Sequence, residues 1–253
     1  MKICEQSEAF VEKDGDLVFQ NTKIIFQQQD EYFYATTKQR LSASSKIDAN
    51  NLHLINIPTD NIWPRFDTRF TRAPDPLPPN SYVKQPSLLH YGDTVASLKL
   101  SELLLNEAEI CETLRRHPHP NIAQYLGCIV EAGRIRGLCF VKYSMTLPQR
   151  LKQGPSFNKD LYLQGITRGV THLHKLGLIH NDLKPSNIMM DGDNPVIIDF
   201  DSCKREQERL GLKAGTKGWA VEGPGFARRE NDIYGLSKIR EYLIGGEGKS
   251  DDV

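Results

Sequence analysis

Apolar positions along the chain follow strand-like spacing at the start and helix-like spacing later. Over residues 1–60, short apolar or aromatic runs (Leu17-Val18-Phe19, Ile24-Ile25-Phe26 and Tyr32-Phe33-Tyr34) alternate with polar breaks, which predicts a small β-meander. The stretch Ile57 to Pro79 carries Pro58, Pro64, Pro74, Pro76, Pro78 and Pro79 and is expected as extended loop rather than regular structure. It leads into a short strand, Ser81-Tyr82-Val83-Lys84, stopped by Pro86. From Ser101 to Arg116, Leu104, Ile110 and Leu114 recur near helical spacing, with Leu103 and Leu105 beside them, in a run of good helix formers. Two strands are expected around Ile122–Val130 and Arg134–Tyr143, joined by the turn Glu131-Ala132-Gly133. Leu163, Ile166, Val170 and Leu173 then trace the core face of a second helix, ended by Gly177.

Composition narrows the class without choosing a function. At 253 residues, 39% apolar and 25% charged, the chain is long enough for one two-lobed domain or two small ones. A formal net charge of zero gives no electrostatic case for nucleic acid or an anionic membrane as the main partner. Five cysteines, with no C-x-x-C pair, point to reduced thiols rather than zinc or redox work. The amino-terminal residues lack an apolar leader and no run is long enough to span a bilayer, so a soluble cytoplasmic or nuclear protein is expected.

The chemistry concentrates in residues 178–202. His180-Asn181-Asp182-Leu183-Lys184 is followed by Asn187, and Ile198-Asp199-Phe200-Asp201 follows after an acidic turn. Ile188-Met189-Met190 and Val196-Ile197-Ile198 read as the arms of a hairpin around Asp191-Gly192-Asp193-Asn194, which brings Asn187 and Asp199 together. The two blocks match the His-x-Asp-Leu-Lys-x-x-Asn and Asp-Phe-Gly patterns, except that Asp201 stands where the glycine belongs. Here the chain resembles the eukaryotic protein kinase superfamily, on the Ser/Thr side. Phosphoryl transfer needs a carboxylate beside the attacking hydroxyl, a cation on the transferring phosphate and oxygen ligands for a divalent metal. Asp182 fits as the base, Lys184 as the γ-phosphate cation, and Asn187 with Asp199 as ligands of Mg²⁺.

The resemblance spans about residues 80–243 and implies more. The fold expected is α+β and two-lobed, protein-kinase-like, with a β-rich N-lobe carrying the αC helix and a shortened, mainly helical C-lobe. It divides the chain into a β-rich segment of unclear role (1–60), a Pro-rich linker (61–80), an N-lobe (81–145), a C-lobe (146–244) and a flexible tail (245–253). Glu107 takes the place of the αC glutamate, and His119-Pro120-Asn121-Ile122 matches the sequel to that helix. Lys84 becomes its ATP-gripping partner, although an edge-strand lysine and a solvated helix glutamate are the plainer alternatives. Adenine is expected near Lys142, Tyr143 and Ser144, with Val141 as gatekeeper. His180 is structural, Thr216 of Gly-Thr-Lys-Gly-Trp faces the substrate and bridges Asp182 and Lys184, and Asp232 supports the catalytic loop from below. ATP and Mg²⁺ are the implied cofactors and a protein hydroxyl the implied acceptor. Self-association or a partner is expected to cover the open C-lobe face.

Departures from the pattern leave other functions in play. No glycine occurs between Gly15 and Gly92, so the phosphate-covering Gly-x-Gly-x-x-Gly loop is absent and weak nucleotide binding or slow turnover is expected. Asn181 replaces the arginine that reads a phosphorylated activation segment, which implies activity without that phosphorylation. Ala220-Val221-Glu222 is a degraded Ala-Pro-Glu motif. The result looks like the reduced kinase-like proteins of fungal genomes. A pseudokinase scaffold is the second reading, and a small-molecule phosphotransferase, toward which Asp201 points, is the third.

Overall fold

The computed structural model describes residues 1–41, 47, 49–94, 96–153, 158–211, 215–216, 218–219 and 225–245. They form two compact units. The first comprises Met1–Phe66, Gln85–Leu104 and Ala132–Ile135. The second comprises Asp67–Lys84, Leu105–Glu131 and the described residues from Arg136 onward.

The first unit is built on an antiparallel sheet in the order β1 (Lys2–Lys13), β2 (Asp16–Gln28), β3 (Glu31–Thr37), β4 (Ile55–Ile57). Asp14-Gly15 turns β1 into β2 with both residues at positive φ (55° and 87°), the conformation that matches the twist of a two-residue hairpin. Ile24, Phe26 and Ala35 are buried on one face, with Phe33, Leu41, Leu52 and Leu54 packed against them. Lys23 reaches from β2 to the Tyr91 carbonyl and the Asp93 carboxylate, both at 2.6 Å. One turn of helix, α1 (Thr59–Ile62), interrupts the segment expected as pure loop. Pro58 immediately precedes it, where a fixed φ and a missing N–H cost nothing, and Ile62 supplies a fully buried anchor.

In the second unit β5 (Ser81–Lys84), α2 (Leu100–Arg116, whose first turn belongs to the other unit), β6 (Tyr125–Glu131) and β7 (Arg134–Val141, whose first two residues belong to the other unit) come first. They are followed by β8 (Met145–Thr146), α3 (Leu147–Lys152), α4 (Lys159–Lys175) and β9 (Leu178–Ile179). β10 (Ile188–Asp191), β11 (Asn194–Ile197), β12 (Lys204–Arg205) and α5 (Arg229–Gly245) complete it. A three-stranded sheet runs β5-β7-β6, a second β11-β10-β8, and β9 pairs with β12. A capping box between Thr146 and Gln149 starts α3, and Asn158 caps α4 by accepting from the Asp160 and Leu161 amides. The buried face of α4 is Tyr162, Gly165, Ile166, Gly169, Val170 and Leu173. Tyr162 thus takes the place expected for Leu163, which is only half-buried, because the stripe is set by two small residues that periodicity does not register.

Those small residues let α4 approach the hairpin that carries the site. A methyl group on Gly165 would lie 2.6 Å from Pro195 Cγ, and one on Gly169 2.8 Å from Ile197 Cδ1. On α5, Gly235 packs against the backbone of Leu183, where an added Cβ would meet the Leu183 carbonyl oxygen at 2.8 Å. Helix propensity alone favours alanine over glycine. Gly235→Ala is nevertheless expected to lower the unfolding free energy by about 1–3 kcal/mol, the range for overpacking a core. Urea unfolding measures this, and an unchanged midpoint would contradict the close approach.

Candidate active site

Glu107 lies inside the apolar stripe of α2, between buried Leu104 and Ala108, rather than on its solvent face like Glu109. A carboxylate in that position requires a partner. Lys84, at the end of β5, places its ammonium 2.7 and 2.8 Å from the two Glu107 oxygens and 2.5 Å from Asp199 Oδ1. The Phe200 amide also donates to Glu107 Oε1 (3.2 Å), and the Phe200 ring is fully buried. Burial alone would pull the Lys84 ammonium toward deprotonation, but attraction to Glu107, Asp199 and Asp201 outweighs it and raises its pKa. Burial pushes the Glu107 carboxyl upward, and the Lys84 ammonium opposes that push. Asp199 occupies the left-handed region (φ 65°), which aspartate tolerates better than most residues.

Residues of the His180–Asn187 block converge on a second cluster. Asp182 is buried, and its Oδ1 accepts from the Thr216 amide (3.0 Å) and hydroxyl (2.7 Å). Its Oδ2 accepts from the Asn187 amide nitrogen (3.1 Å) and lies 3.0 Å from the Lys184 ammonium. Lys184 also donates to Thr216 Oγ1 (2.6 Å). The Asn187 nitrogen bonds the Asp182 carbonyl too (2.9 Å), so this side chain's NH₂ is committed to Asp182 and its oxygen is left as the available ligand atom.

Beneath the loop sits fully buried Asp232 of α5. It accepts from the backbone amides of His180 (3.0 Å) and Asn181 (2.9 Å) and from His174 Nε2 (2.8 Å). His180 has a defined tautomer. Its Nε2 donates to the Ile198 carbonyl (3.0 Å), which leaves Nδ1 to accept from the Asp182 amide (3.3 Å). Asn181, at φ 65°, donates to the Ile179 and Ser202 carbonyls (3.1 and 3.0 Å) and accepts from Asn231 (2.9 Å). Sequence reasoning missed Asn231, His174 and Glu112. Buried Glu112 accepts from the amide and hydroxyl of Thr71 (2.6 and 3.1 Å), tying the segment before β5 to α2. Nothing in a run of helix glutamates distinguishes it, whereas its burial does. Asn121 of the His-Pro-Asn-Ile run is likewise buried and joins α2's sequel to the hairpin through Asn194 Oδ1 and the Pro195 carbonyl, both at 2.8 Å.

A cavity of about 390 Å³ opens beside these groups, within the usual range for small-ligand pockets. Val141, Lys142 and Tyr143 line it together with Lys84, Glu107, Ala123, Met189 and Asp199. Ser144 is not among the lining residues. The Val141 amide is engaged by the Gln124 carbonyl and the Lys142 amide by the Asn80 carbonyl. Lys217 and Ala220-Val221-Glu222 lie outside the described residues. All five cysteines are unpaired, and burial pushes the Cys128 thiol up to about 11.

Comparison with known proteins gives the family. Residues 93–221 match the protein kinase domain, and the chain belongs to that family, with its two-lobed α+β fold of a β-sheet lobe and a helical lobe. It is 31% identical over 122 residues to the serine/threonine-protein kinase/endoribonuclease IRE1 of Hypocrea jecorina, covering 40% of this chain and 10% of that one. It is 30% identical over 187 residues to the G-type lectin S-receptor-like serine/threonine-protein kinase At1g11330 of Arabidopsis thaliana, covering 63% and 22%. With the serine/threonine-protein kinase SSK22 of Saccharomyces cerevisiae it shares 30% over 118 residues, covering 44% and 8%. The chain therefore spans from 8% to 22% of the length of these relatives. No helix among the described residues is long and apolar enough to cross a membrane.

Two outcomes check the clusters. Asp232→Ala leaves two buried amides and an imidazole without their acceptor, and is expected to cost about 3 kcal/mol or more in urea unfolding. Lys84→Met leaves the Glu107 carboxyl in a buried site that favours its protonated form, so its folded pKa rises above the unfolded one. The stability of that protonated state is present below the unfolded pKa and is lost as pH rises through the folded pKa. The deficit of Lys84→Met relative to the parent chain should accordingly grow from mildly acid to mildly alkaline pH, and a deficit that shrinks would contradict the pairing.

Proposed function

We propose that the chain is an ATP-dependent Ser/Thr protein kinase that transfers the γ-phosphate of Mg-ATP to a protein hydroxyl, weakly and without activation-segment phosphorylation. The observation that carries this is the closed network Asp182–Asn187–Lys184–Thr216 standing in the same family fold as Lys84–Glu107–Asp199. When bound, Mg-ATP supplies the phosphoryl group and a divalent charge to neutralise it. The donor set suits that ligand. Mg²⁺ prefers oxygen and keeps several waters, and the Asn187 carbonyl and the Asp199 carboxylate are hard oxygen donors.

The chain's own residues then have defined tasks. Asp182 orients the acceptor hydroxyl and takes its proton, and Lys184 holds positive charge beside the phosphoryl oxygens. Thr216, bonded to both, keeps them in register. Lys84, fixed by Glu107, binds the α- and β-phosphates. With the Val141 and Lys142 amides already engaged, adenine is read by the Lys142 carbonyl, against Tyr143. Asn181 does not await a phosphate, because its side chain is spent on Ile179, Ser202 and Asn231 inside the fold. Phosphatase treatment should therefore leave activity unchanged.

A second reading, a pseudokinase scaffold, is favoured by one observation: no glycine lies between Gly15 and Gly92 to form a phosphate cradle. Radiolabelled transfer from [γ-³²P]ATP separates the readings. Label on Ser or Thr of a generic protein substrate, lost in Asp182→Asn, supports the kinase. No label with Mg-ATP still raising the melting temperature selects the scaffold, and label on small alcohols alone selects a small-molecule phosphotransferase.

A further inference from the structure

Ahead of β5, residues 71–73 run along the edge of β6 that faces away from β7. The Cys128 amide donates to the Thr71 carbonyl (2.7 Å), and the Ala73 amide donates to the Cys128 carbonyl (2.9 Å). Gly127 makes this approach possible. Its φ is +138°, and a Cβ there would lie 2.5 Å from the Arg72 carbonyl carbon and from the Ala73 nitrogen. The segment is also anchored upstream, where Phe70 is buried and the amides of Phe70 and Arg69 bond Asp67 (3.0 and 2.9 Å). Pro74, Pro76, Pro78 and Pro79 then lead to β5, and their fixed φ angles leave little slack before the strand that ends in Lys84.

This segment holds α2. Both oxygens of buried Glu112 accept from one of its residues, Thr71, through the amide (2.6 Å) and the hydroxyl (3.1 Å), and Arg115 of the same helix stands 3.4 Å from Oε2. An exposed pair joins Arg69 to Glu109 (2.8 Å). On the other side of Glu107, Asn106 donates to the Cys203 carbonyl (3.1 Å) and accepts from Lys204 (2.9 Å). Asn106 and Glu112 are about 9 Å apart along the helix axis, and a helix held at both places can neither roll nor slide. Glu107 lies between them. Its own bond to Lys84 does not supply that restraint, because the Lys84 ammonium keeps Asp199 as a partner at 2.5 Å if Glu107 withdraws.

We propose that Thr71 and Glu112 are positioning residues of the nucleotide site: residues 67–73 hold α2 where Glu107 meets Lys84, and this sets the affinity for Mg-ATP. The effect on nucleotide rests on the proposed kinase function, whereas the seat of Glu107 does not.

The Phe200 amide donates to Glu107 Oε1 and so reports that seat without nucleotide. Glu112→Met removes the acceptor of the Thr71 bonds, and Gly127→Ala pushes the segment off β6 without touching Glu112. Hydrogen exchange of the full chain, followed by NMR, should show the Phe200 amide exchanging about tenfold faster in both variants. The Asn181 amide, held by Asp232, should keep its parent rate, which separates a moved helix from general loosening. Glu112→Gln keeps an oxygen for the Thr71 amide and should match the parent chain. In calorimetric titration, Mg-ATP should bind Glu112→Met and Gly127→Ala about tenfold more weakly than the parent chain or Glu112→Gln. Phe200 exchange at the parent rate in both variants, or faster exchange matched by Asn181 or by Glu112→Gln, overturns the positioning role. Faster Phe200 exchange with undiminished Mg-ATP binding overturns its hold on the nucleotide. A parent chain that binds no Mg-ATP overturns the kinase reading and the effect on affinity with it, while the exchange rates still decide what holds Glu107.

Discussion

The site rests on one buried ion cluster, in which the Lys84 ammonium is shared between Glu107 and Asp199. Charges in a low-dielectric setting are costly unless each has a partner of opposite sign at hydrogen-bond distance. That requirement couples three elements distant in sequence: β5, which ends in Lys84; α2, which carries Glu107 on its inner face; and the end of the β10–β11 hairpin, from which Asp199 projects. The Phe200 amide bonded to Glu107 makes the coupling tighter, because the backbone just past Asp199 is fixed by the same carboxylate. On the proposed reading, the phosphate-facing lysine and a metal ligand are held by a single arrangement.

A second constraint acts from below. Asp232 removes the need for water at two buried amides of the catalytic loop, and Gly235, one turn along α5, allows the helix near enough for that contact. Asn181 then adopts a left-handed backbone that asparagine accepts more readily than most residues, and its amide group satisfies three further buried partners. A long cationic side chain at that position would leave those partners without bonds. The loop is pre-shaped by the Asp232 carboxylate and the neutral bonds of the Asn181 side chain, with no cation at position 181.

Much of this was legible in the sequence where chemistry and spacing coincide. His180, Asp182, Lys184, Asn187 and Asp199 stand in two motifs separated by a hairpin with strong turn residues, and that hairpin forms with Ile188 opposite Ile197. Membership of the protein kinase family and its fold followed from those motifs. What the pattern could not deliver lies where packing decides. The short α1 turn hides in a proline-rich run, Tyr162 displaces Leu163 because Gly165 and Gly169 rotate the buried stripe, and Glu112 is one acid among several until Thr71 is seen to need it. The amino-terminal sheet was predictable as strands, but not the packing of Leu41, Leu52 and Leu54 on it or the reach of Lys23 to residues 91 and 93.

On the proposed reading, Lys84, Asp199 and Asn187 form one magnesium-nucleotide site. Isothermal titration of ATP into the full chain, with and without Mg²⁺, measures it most directly when repeated on Asp199→Asn. Binding that needs Mg²⁺ and is lost in the variant is the expected result. Affinity that survives both removal of the metal and loss of the Asp199 charge, or no binding of ATP to the parent chain at all, would contradict it.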